Sequence, residues 1–472
     1  MDEPSTRQTI AFGFGALTDQ MSHQAFQFLV FTFYYAVIGV NVNVLMFGFI
    51  IFAIWDSVND PLLGPISDRT NTKLGRRRFW VLVSLVPFAL VNLFLFTPPL
   101  LADEATKAIY FILIVLVYDL FYTMFSLNQV AMFPEMFKTE TKRGQANMYK
   151  NILTIIGVIV GFVLPTILIK PLAPTPETSP ETVALIPGMY MNTGIMLCIL
   201  VLLFGFLFFK LGMKEDPANL TKPQEMPNLL NALKETLKNK SFVIFIIANL
   251  FNWFSFKMLT TIIPLYGIHV LGIPEGSPLL SILLLVALLS AAFFFPICRK
   301  IGLKIGMRNA FIMTEMIWIA SLIPFWFLDN QPELAIIFMV FIGIGLAGAM
   351  YYVDIIIGSI IDEAEVKTGR RREGSYYGIN ALINRYSTIL VFVVIAITLT
   401  GYGWENYLVS GRNPTEIANL QIGLKELLVI WNLIGIGVVI VLLKVFPLHG
   451  DRWRQVQEQL KTLRAQKANN LS

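Results

Sequence analysis

Long apolar runs alternate with short charged segments along the whole chain. A helix needs about 20 mostly apolar residues to cross the hydrocarbon core of a bilayer. Twelve stretches meet this requirement, near residues 10–38, 44–66, 79–101, 107–133, 148–169, 189–212, 241–271, 278–298, 309–328, 334–361, 376–401 and 424–446. The pattern predicts an all-α integral membrane protein with twelve transmembrane helices.

The composition narrows the class of protein further. Of the 472 residues, 56% are hydrophobic and 14% are charged, against about 25% charged in soluble domains. These values exclude a soluble enzyme, a disordered chain and a disulfide scaffold. Two cysteines and three histidines are too few for a disulfide framework or a multi-ligand zinc site. The net charge of +5 is small for this length, so no nucleic-acid partner is expected.

The positive charges predict the orientation in the membrane. Most of the 36 Lys and Arg residues fall on the side of the N-terminus; the exceptions are Lys107, Lys170, Arg412 and Lys425 in the opposite loops, and Lys257 and Arg385 inside spans. Positively charged loops stay in the cytoplasm. We therefore expect both termini to be cytoplasmic, in a multi-pass protein of the cell membrane.

An internal repeat divides the chain into two halves. The run from Pro65 through Gly75 to Arg77 is similar to the run from Pro296 through Gly306 to Arg308, with a constant offset of 231 residues. We predict two pseudo-symmetric six-helix halves at 1–212 and 241–446, a cytoplasmic linker at 213–240 and a cytoplasmic tail at 447–472. Leucines at helical spacing in the linker, Leu229, Leu230, Leu233 and Leu237, indicate a short amphipathic helix. Two repeated halves around a midplane site are typical of transporters.

Two motifs resemble those of a known transporter family. Gly64-Pro-Ile-Ser-Asp68-Arg69, followed by Gly75-Arg76-Arg77-Arg78, resembles the inner-loop signature of the major facilitator superfamily. Trp55-Asp-Ser-Val-Asn-Asp-Pro61 resembles the second-helix motif of its glycoside–pentoside–hexuronide:cation symporters. The likeness runs from about residue 10 to 450. It implies the major facilitator fold and the coupled uptake of a small solute, driven by sodium or protons.

The sugar-site positions of that family are only partly matched. Sugar permeases of the family carry Asp in the first and fourth spans and Arg in the fifth, where this chain has Gln20, Ser126 and Asn151. Their Lys in the eleventh span is matched by Arg385. These departures argue against a simple galactoside. The solute stays open as a sugar, a glycoside or another polar or anionic organic molecule.

Acidic residues inside the spans indicate a cation site. Asp56 and Asp60 share one helix face, and two such carboxylates repel each other unless a proton or cation lies between them. Asp119, Thr123 and Ser126 of the fourth span would supply further oxygen ligands to a sodium ion. The alternatives are permanent ion pairs with Arg385 or an inner-loop arginine, and hydroxyls that bond their own helix. Beyond sodium or a proton as the coupling ion, no metal or cofactor is expected.

Polar residues in other spans predict the solute site. The first span carries a polar stripe with Asp19, Gln20 and His23, which would be costly to expose to lipid. Further candidates are Asn151 in the fifth span, Lys257 in the seventh, Asp354 in the tenth and Arg385 in the eleventh. Asp354 and Glu315 are the possible local partners of Lys257, and a pair with Asp354 would be permanent or would open as the halves rock. If Arg385 stays free, its guanidinium would suit an anionic group of the solute. His23 is either a proton relay or a hydrogen-bonded cavity residue.

The charged inner loops predict a conformational latch, made by Asp68, Arg69, Arg76, Arg77 and Arg78 in one half and by Arg371 and Arg372 in the other. Some of these arginines would otherwise serve only as a topology signal.

Together the patterns predict a monomeric, cation-coupled symporter, surrounded by membrane lipids and working by alternating access. A second hypothesis is a lipid or lysolipid carrier of the same fold, which would show a wide apolar groove open sideways to lipid. A membrane-bound transferase or hydrolase is a remote alternative, since the histidines are scattered and no catalytic cluster is evident. We therefore expect no enzymatic activity.

Overall fold

The computed structural model describes residues 4–70, 72–137, 140–215, 236–274, 277, 279–368, 373–408 and 413–469. Inside these ranges the side chains of several helical residues, Asp60, Asp68 and Arg69 among them, lie outside the description. All regular secondary structure of the described residues is helical.

Among the described residues, twelve long helices form the bundle. The first half contains α1 (Thr6–Thr32), α2 (Val42–Arg69), α3 (Arg76–Phe94), α4 (Glu104–Met136), α5 (Glu140–Leu168) and α6 (Pro180–Leu207). The second half contains α7 (Lys240–His269), α8 (Leu279–Ile305), α9 (Met307–Leu322), α10 (Pro332–Thr368), α11 (Glu373–Gly401) and α12 (Pro414–Val445), and a further helix, α13 (Gly450–Asn469), follows. Short π-helical turns extend α1 and α6 and interrupt α12, at Phe33–Val37, Phe208–Gly212 and Glu426–Ile430.

The length and composition of the helices agree with a protein of twelve spans. In the described part of the chain, eleven helices, α2 to α12, are long and apolar enough to cross a membrane. The twelfth, α1, has 27 residues, but its polar stripe lowers its mean hydropathy. Asp19, Ser22 and Gln24 of this stripe are buried, where α1 packs against α4, α5, α6 and α7. We call the end of the bundle at which α1 begins and α12 ends the terminal face, and the opposite end the far face.

The sequence repeat has a structural counterpart in two turns. Gly75 (φ +101°) directly precedes α3, and Gly306 (φ +87°) directly precedes α9. A positive φ in this range is a conformation that glycine adopts without steric cost. The repeat therefore places the same sharp turn before the third helix of each half.

The packing of α1 against α5 depends on small residues. A Cβ atom on Gly157 would lie 2.6 Å from the carbonyl oxygen of Leu17, and one on Gly161 would lie 2.7 Å from that of Met21. This Gly-x-x-x-Gly spacing lets two membrane helices approach closely. It holds α1, which carries the polar stripe, firmly within the first half.

Two clusters of side chains stabilise the terminal face. The Glu215 carboxylate accepts hydrogen bonds from the backbone N–H groups of Arg76, Arg77 and Arg78, at 2.8 to 3.3 Å, and so caps the N-terminus of α3. The Arg77 guanidinium donates to Ser67 Oγ at 2.6 Å. In the other half, Arg452 of α13 forms an ion pair with buried Glu363 of α10 at 2.8 Å.

Part of the predicted organisation lies outside the described residues. Residues 216–235 include most of the predicted linker, with Leu229, Leu230 and Leu233 of its amphipathic helix. Arg371 and Arg372 of the predicted latch also lie outside the described residues.

Candidate functional site

A central cavity of about 270 Å³ lies between the two halves of the bundle. Helices α1, α2 and α4 line it from one half, and α7 and α11 line it from the other. Of the lining residues that the structure describes, four are charged and face the cavity together with His23: Asp56, Asp119, Lys257 and Arg385. Charged groups inside a membrane protein are costly unless they pair or function. Their partners therefore decide what this cavity can do.

Asp56 of α2 and Arg385 of α11 form an ion pair across the two halves. Arg385 Nε lies 3.0 Å from Asp56 Oδ2, and both side chains are largely buried, at 19% and 17% exposure. The Arg385 guanidinium also donates to the backbone carbonyl of Asp56. Arg385 is therefore engaged in this conformation, which is the ion-pair alternative left open by the sequence.

Asp119 of α4 lies next to Asp56. Its carboxyl group is within hydrogen-bonding reach of that of Asp56, and Asn59 Nδ2 donates to Asp119 Oδ2 at 3.0 Å. Two carboxyl groups in such contact cannot both stay ionised without a proton or a cation between them. The arrangement thus has the chemistry of a cation or proton site.

Lys257 of α7 has neutral partners. Its Nζ donates to Thr388 Oγ1 at 2.8 Å and to the backbone carbonyl of Asn384 at 3.1 Å, both on α11. Asp354, the partner considered from the sequence, is exposed on α10 and does not appear in the described cavity lining.

The polar stripe of α1 divides between three environments. His23 faces the cavity, where its Nε2 is 2.6 Å from Gln27 Nε2. Its ring stacks on that of Tyr122, with 5.2 Å between the ring centroids. Asp19 accepts a hydrogen bond from Gln20 at 2.8 Å and lies beside the hydroxyl of Ser126. Gln20 itself also faces an apolar groove outside the cavity.

Other predicted site residues are not brought into the cavity lining. Thr123 is buried one turn beyond Asp119 on α4, and Asn151 is exposed on α5. The side chain of Asp60 lies outside the description, so its role as a cation ligand stays a prediction. Arg76, Arg77 and Arg78 lie at the terminal face, at the start of α3, and do not appear in the described cavity lining.

The far face is closed by hydrogen bonds between the halves. Tyr35 OH donates to the Trp404 carbonyl at 2.5 Å, and Tyr407 OH donates to the Pro174 carbonyl at 2.7 Å. Tyr407 also bonds His269 Nε2, and the backbone N–H of Val42 donates to the Glu405 carbonyl at 2.9 Å. In the cavity lining, the rings of Phe49 and Phe392 stack across the two halves, with 3.6 Å between the ring centroids.

An apolar groove of about 210 Å³ lies beside the cavity. It runs between α1 and α5 of one half and α7, α8 and α10 of the other. Leu289 and Met350 of its lining are 51% and 49% exposed at the surface of membrane-spanning helices. Trp253 lines both the groove and the central cavity, so the two spaces are neighbours at this residue.

Similarity to known proteins identifies the family of this chain. Residues 11–449 match the model of a family described as MFS/sugar transport protein. The chain belongs to this family. An uncharacterized symporter of Synechocystis sp. is 22% identical, over 84% of this chain and 85% of its own length. The sodium-dependent lysophosphatidylcholine symporter 1-A of Danio rerio is 21% identical, over 96% of this chain and 88% of its own length.

A solved structure confirms the fold. The crystal structure of the nucleoside transporter NupG has a TM-score of 0.63 and 15% identity, and the match covers 93% of this chain and 98% of that one. At such low identity, the likeness is evidence for the fold alone. The predicted major facilitator fold is thereby confirmed, and this member of the MFS/sugar transport family is a membrane transporter.

Sequence reasoning missed several polar residues that hold the charged groups of the cavity. Asn59, which holds Asp119, stands inside the second-helix motif, three residues after Asp56. Asn384 and Thr388, which hold Lys257, flank Arg385 within one helical turn. A search for polar residues within one turn of each charge inside a span would have found all three.

Proposed function

We propose that this transporter couples the movement of a small solute to a cation, sodium or a proton, by alternating access. Asp56 and Asp119 are the coupling carboxyl groups, and the solute occupies the central cavity. The observation that carries the proposal is the contact between these two carboxyl groups beside a single guanidinium. Asp60 and Thr123 remain part of the proposed cation site, as the sequence motif suggests. We propose transport, and no catalytic activity, as the role of the chain.

The distribution of Lys and Arg supports a cytoplasmic terminal face. In a cell membrane, the far face would then be extracellular, and the conformation with its closed far face would precede release of the solute inward. The ion pair between Asp56 and Arg385 would break or rearrange as the halves rock. We propose that a single chain suffices for the cycle.

A second candidate function is the transport of an amphiphile. The apolar groove that meets the cavity at Trp253 favours it, because a single alkyl chain would lie in the groove while a polar head lay in the cavity. A relative named as a lysophosphatidylcholine symporter is consistent with this candidate.

Ligand-dependent stability of the purified protein tests the coupling site. We expect sodium, compared with potassium at matched ionic strength, to stabilise the protein by about 2.7 kcal/mol at a hundredfold excess over its dissociation constant. Asp119→Asn should abolish this effect. Asp354→Asn, at an exposed position on α10, is the matched control and should keep it.

Proton coupling predicts a different result in the same experiment. Sodium would have no effect, and stability would change between pH 5 and 8 in wild type but not in Asp119→Asn. A sodium or pH effect that is the same in wild type and in Asp119→Asn would contradict the proposed site.

A further inference from the structure

Lys257 is a positive charge whose described partners are all neutral. An ammonium group has three N–H donors. Among the described residues, the Lys257 ammonium donates to the Thr388 hydroxyl and to the backbone carbonyl of Asn384. In the described part of the chain, no carboxylate oxygen lies within 4.0 Å of its Nζ. A cation held in a membrane cavity by neutral groups lacks the counter-charge that such groups normally require.

The nearby carboxyl groups are already committed. Asp56 pairs with Arg385 at 3.0 Å. Asp119 accepts from Asn59 and contacts Asp56. Asp56 attracts Lys257 only through space, without a direct contact. The counter-charge for Lys257 is therefore missing from the described lining.

The charge balance of the cavity changes when the coupling ion binds. When one sodium ion or proton lies between Asp56 and Asp119, the two carboxyl groups and the bound ion together carry one negative charge. Arg385 balances that charge, so the described lining keeps one net positive charge. Lys257 carries that charge, because Arg385 stays paired with Asp56.

We infer that the solute of this transporter carries one negative charge, as a carboxylate, phosphate diester or sulfate ester, and that Lys257 is its anchor. The inference rests on the proposed function, since it places the solute in the same cavity. Occupation of the carboxyl pair by the cation raises the affinity for the anion, and the anion raises the affinity for the cation. This reciprocity follows from linkage between two binding sites.

The cavity lining suits such a ligand. Trp253 and Tyr122 provide aromatic surfaces, and the Gln27 amide provides further hydrogen-bonding capacity. The volume of about 270 Å³ is just below the range of about 300–1,000 Å³ for small-molecule sites, so the polar group that it holds is small. The anionic group has two possible sources: a small water-soluble organic acid, or the head group of a single-chain lipid whose tail enters the groove beyond Trp253.

Matched pairs of probes test the inference. The purified protein, in nanodiscs with sodium chloride, is titrated with glucuronate and glucose, with glycerophosphoglycerol and glycerol, and with lysophosphatidylglycerol and monoacylglycerol, while its thermal stability is recorded. We expect at least one anionic probe to stabilise wild type at a concentration at least about tenfold lower than its uncharged partner. A preference confined to the lipid pair identifies an anionic amphiphile, and a preference in the other pairs identifies a soluble acid.

Variants of the anchor separate charge from folding. Lys257→Gln should lose the preference for the anion, while Lys257→Arg should keep it. Lys425→Gln, which removes a cation paired with Asp329 at 2.7 Å outside the cavity, should bind like wild type. In wild type, replacing potassium with sodium, or lowering the pH if the protein is proton-coupled, should strengthen binding of the anionic probe more than of its partner.

The outcomes distinguish the inference from the proposed function. The inference is overturned if no anionic probe stabilises wild type more than its uncharged partner, or if Lys257→Gln keeps the preference. If sodium or pH stabilisation through Asp119 persists in that case, only the nature of the solute is wrong. If anion binding depends on Lys257 while neither sodium nor pH has an effect through Asp119, the coupling site is wrong and the anchor stands.

Discussion

The ion pair between Asp56 and Arg385 should contribute measurably to the stability of the bundle. At 3.0 Å between Nε and Oδ2, the Coulomb energy with an effective dielectric constant of about 20 is about 5.5 kcal/mol. Desolvation of two largely buried groups offsets much of this attraction. We therefore expect a coupling energy of about 1.5–3 kcal/mol, which is the range for hydrogen bonds to charged groups.

A double-mutant cycle measures this energy. The free energy of unfolding is determined by titration with a denaturing detergent for wild type, Asp56→Asn, Arg385→Gln and the double variant, in potassium to avoid a bound sodium ion. The coupling energy is the difference between the effect of the double variant and the sum of the single effects. Each single variant should destabilise, and the double variant should be less destabilised than that sum.

A second ion pair provides the control. Lys425 and Asp329 are 2.7 Å apart, but Asp329 is 49% exposed, and exposed pairs contribute only about 0–1 kcal/mol. The same cycle with Asp329→Asn and Lys425→Gln should therefore give a smaller coupling energy. If the two cycles give equal values, the Asp56–Arg385 contact does not link the halves as described.

Two further predictions concern closure and packing. Tyr407→Phe removes the hydrogen bond to the Pro174 carbonyl. Alkylation from the far face of Thr261→Cys, at a position that lines the cavity, should then be about fivefold faster in a background without other cysteines, as expected for a loss of about 1 kcal/mol. Tyr402→Phe, whose hydroxyl bonds Glu426 within one half at 2.6 Å, should leave the rate unchanged. Gly161→Ala should destabilise the protein by about 1–3 kcal/mol in detergent unfolding, because its Cβ would lie 2.7 Å from the Met21 carbonyl oxygen. Gly437→Ala is the control, since no atom lies within 4 Å of a Cβ at that position. Equal stability of the two variants would refute the packing argument.

Hydropathy predicts most of the fold because each span must bury its own backbone hydrogen bonds in a helix. The exception is instructive: α1 falls short by composition since its polar stripe faces protein instead of lipid. Its assignment as a span rested on the length of the mostly apolar run near 10–38, in which the polar stripe is embedded. The repeat, read from a constant offset between two loops, predicts the matching turns at Gly75 and Gly306.

The site was harder to predict because sequence does not give the rotation of one helix against another. Asp56 and Arg385 were recognised as charges inside spans, and their pairing was one of two alternatives. Whether Lys257 would meet Asp354 or Thr388 depends on how α7 packs between α10 and α11, and no local pattern determines that angle. Asn59 was overlooked because an amide carries no charge, although it holds Asp119 in place.

The charge at Lys257 has a consequence for the response to membrane voltage. Moving one elementary charge through 100 mV changes the free energy by about 2.3 kcal/mol. A solute with one negative charge, carried together with one cation, moves no net charge. Its accumulation would depend on the concentration gradient of the cation and not on the membrane potential. If Lys257→Gln carried an uncharged solute with the same cation, each cycle would move one positive charge and produce an inward current.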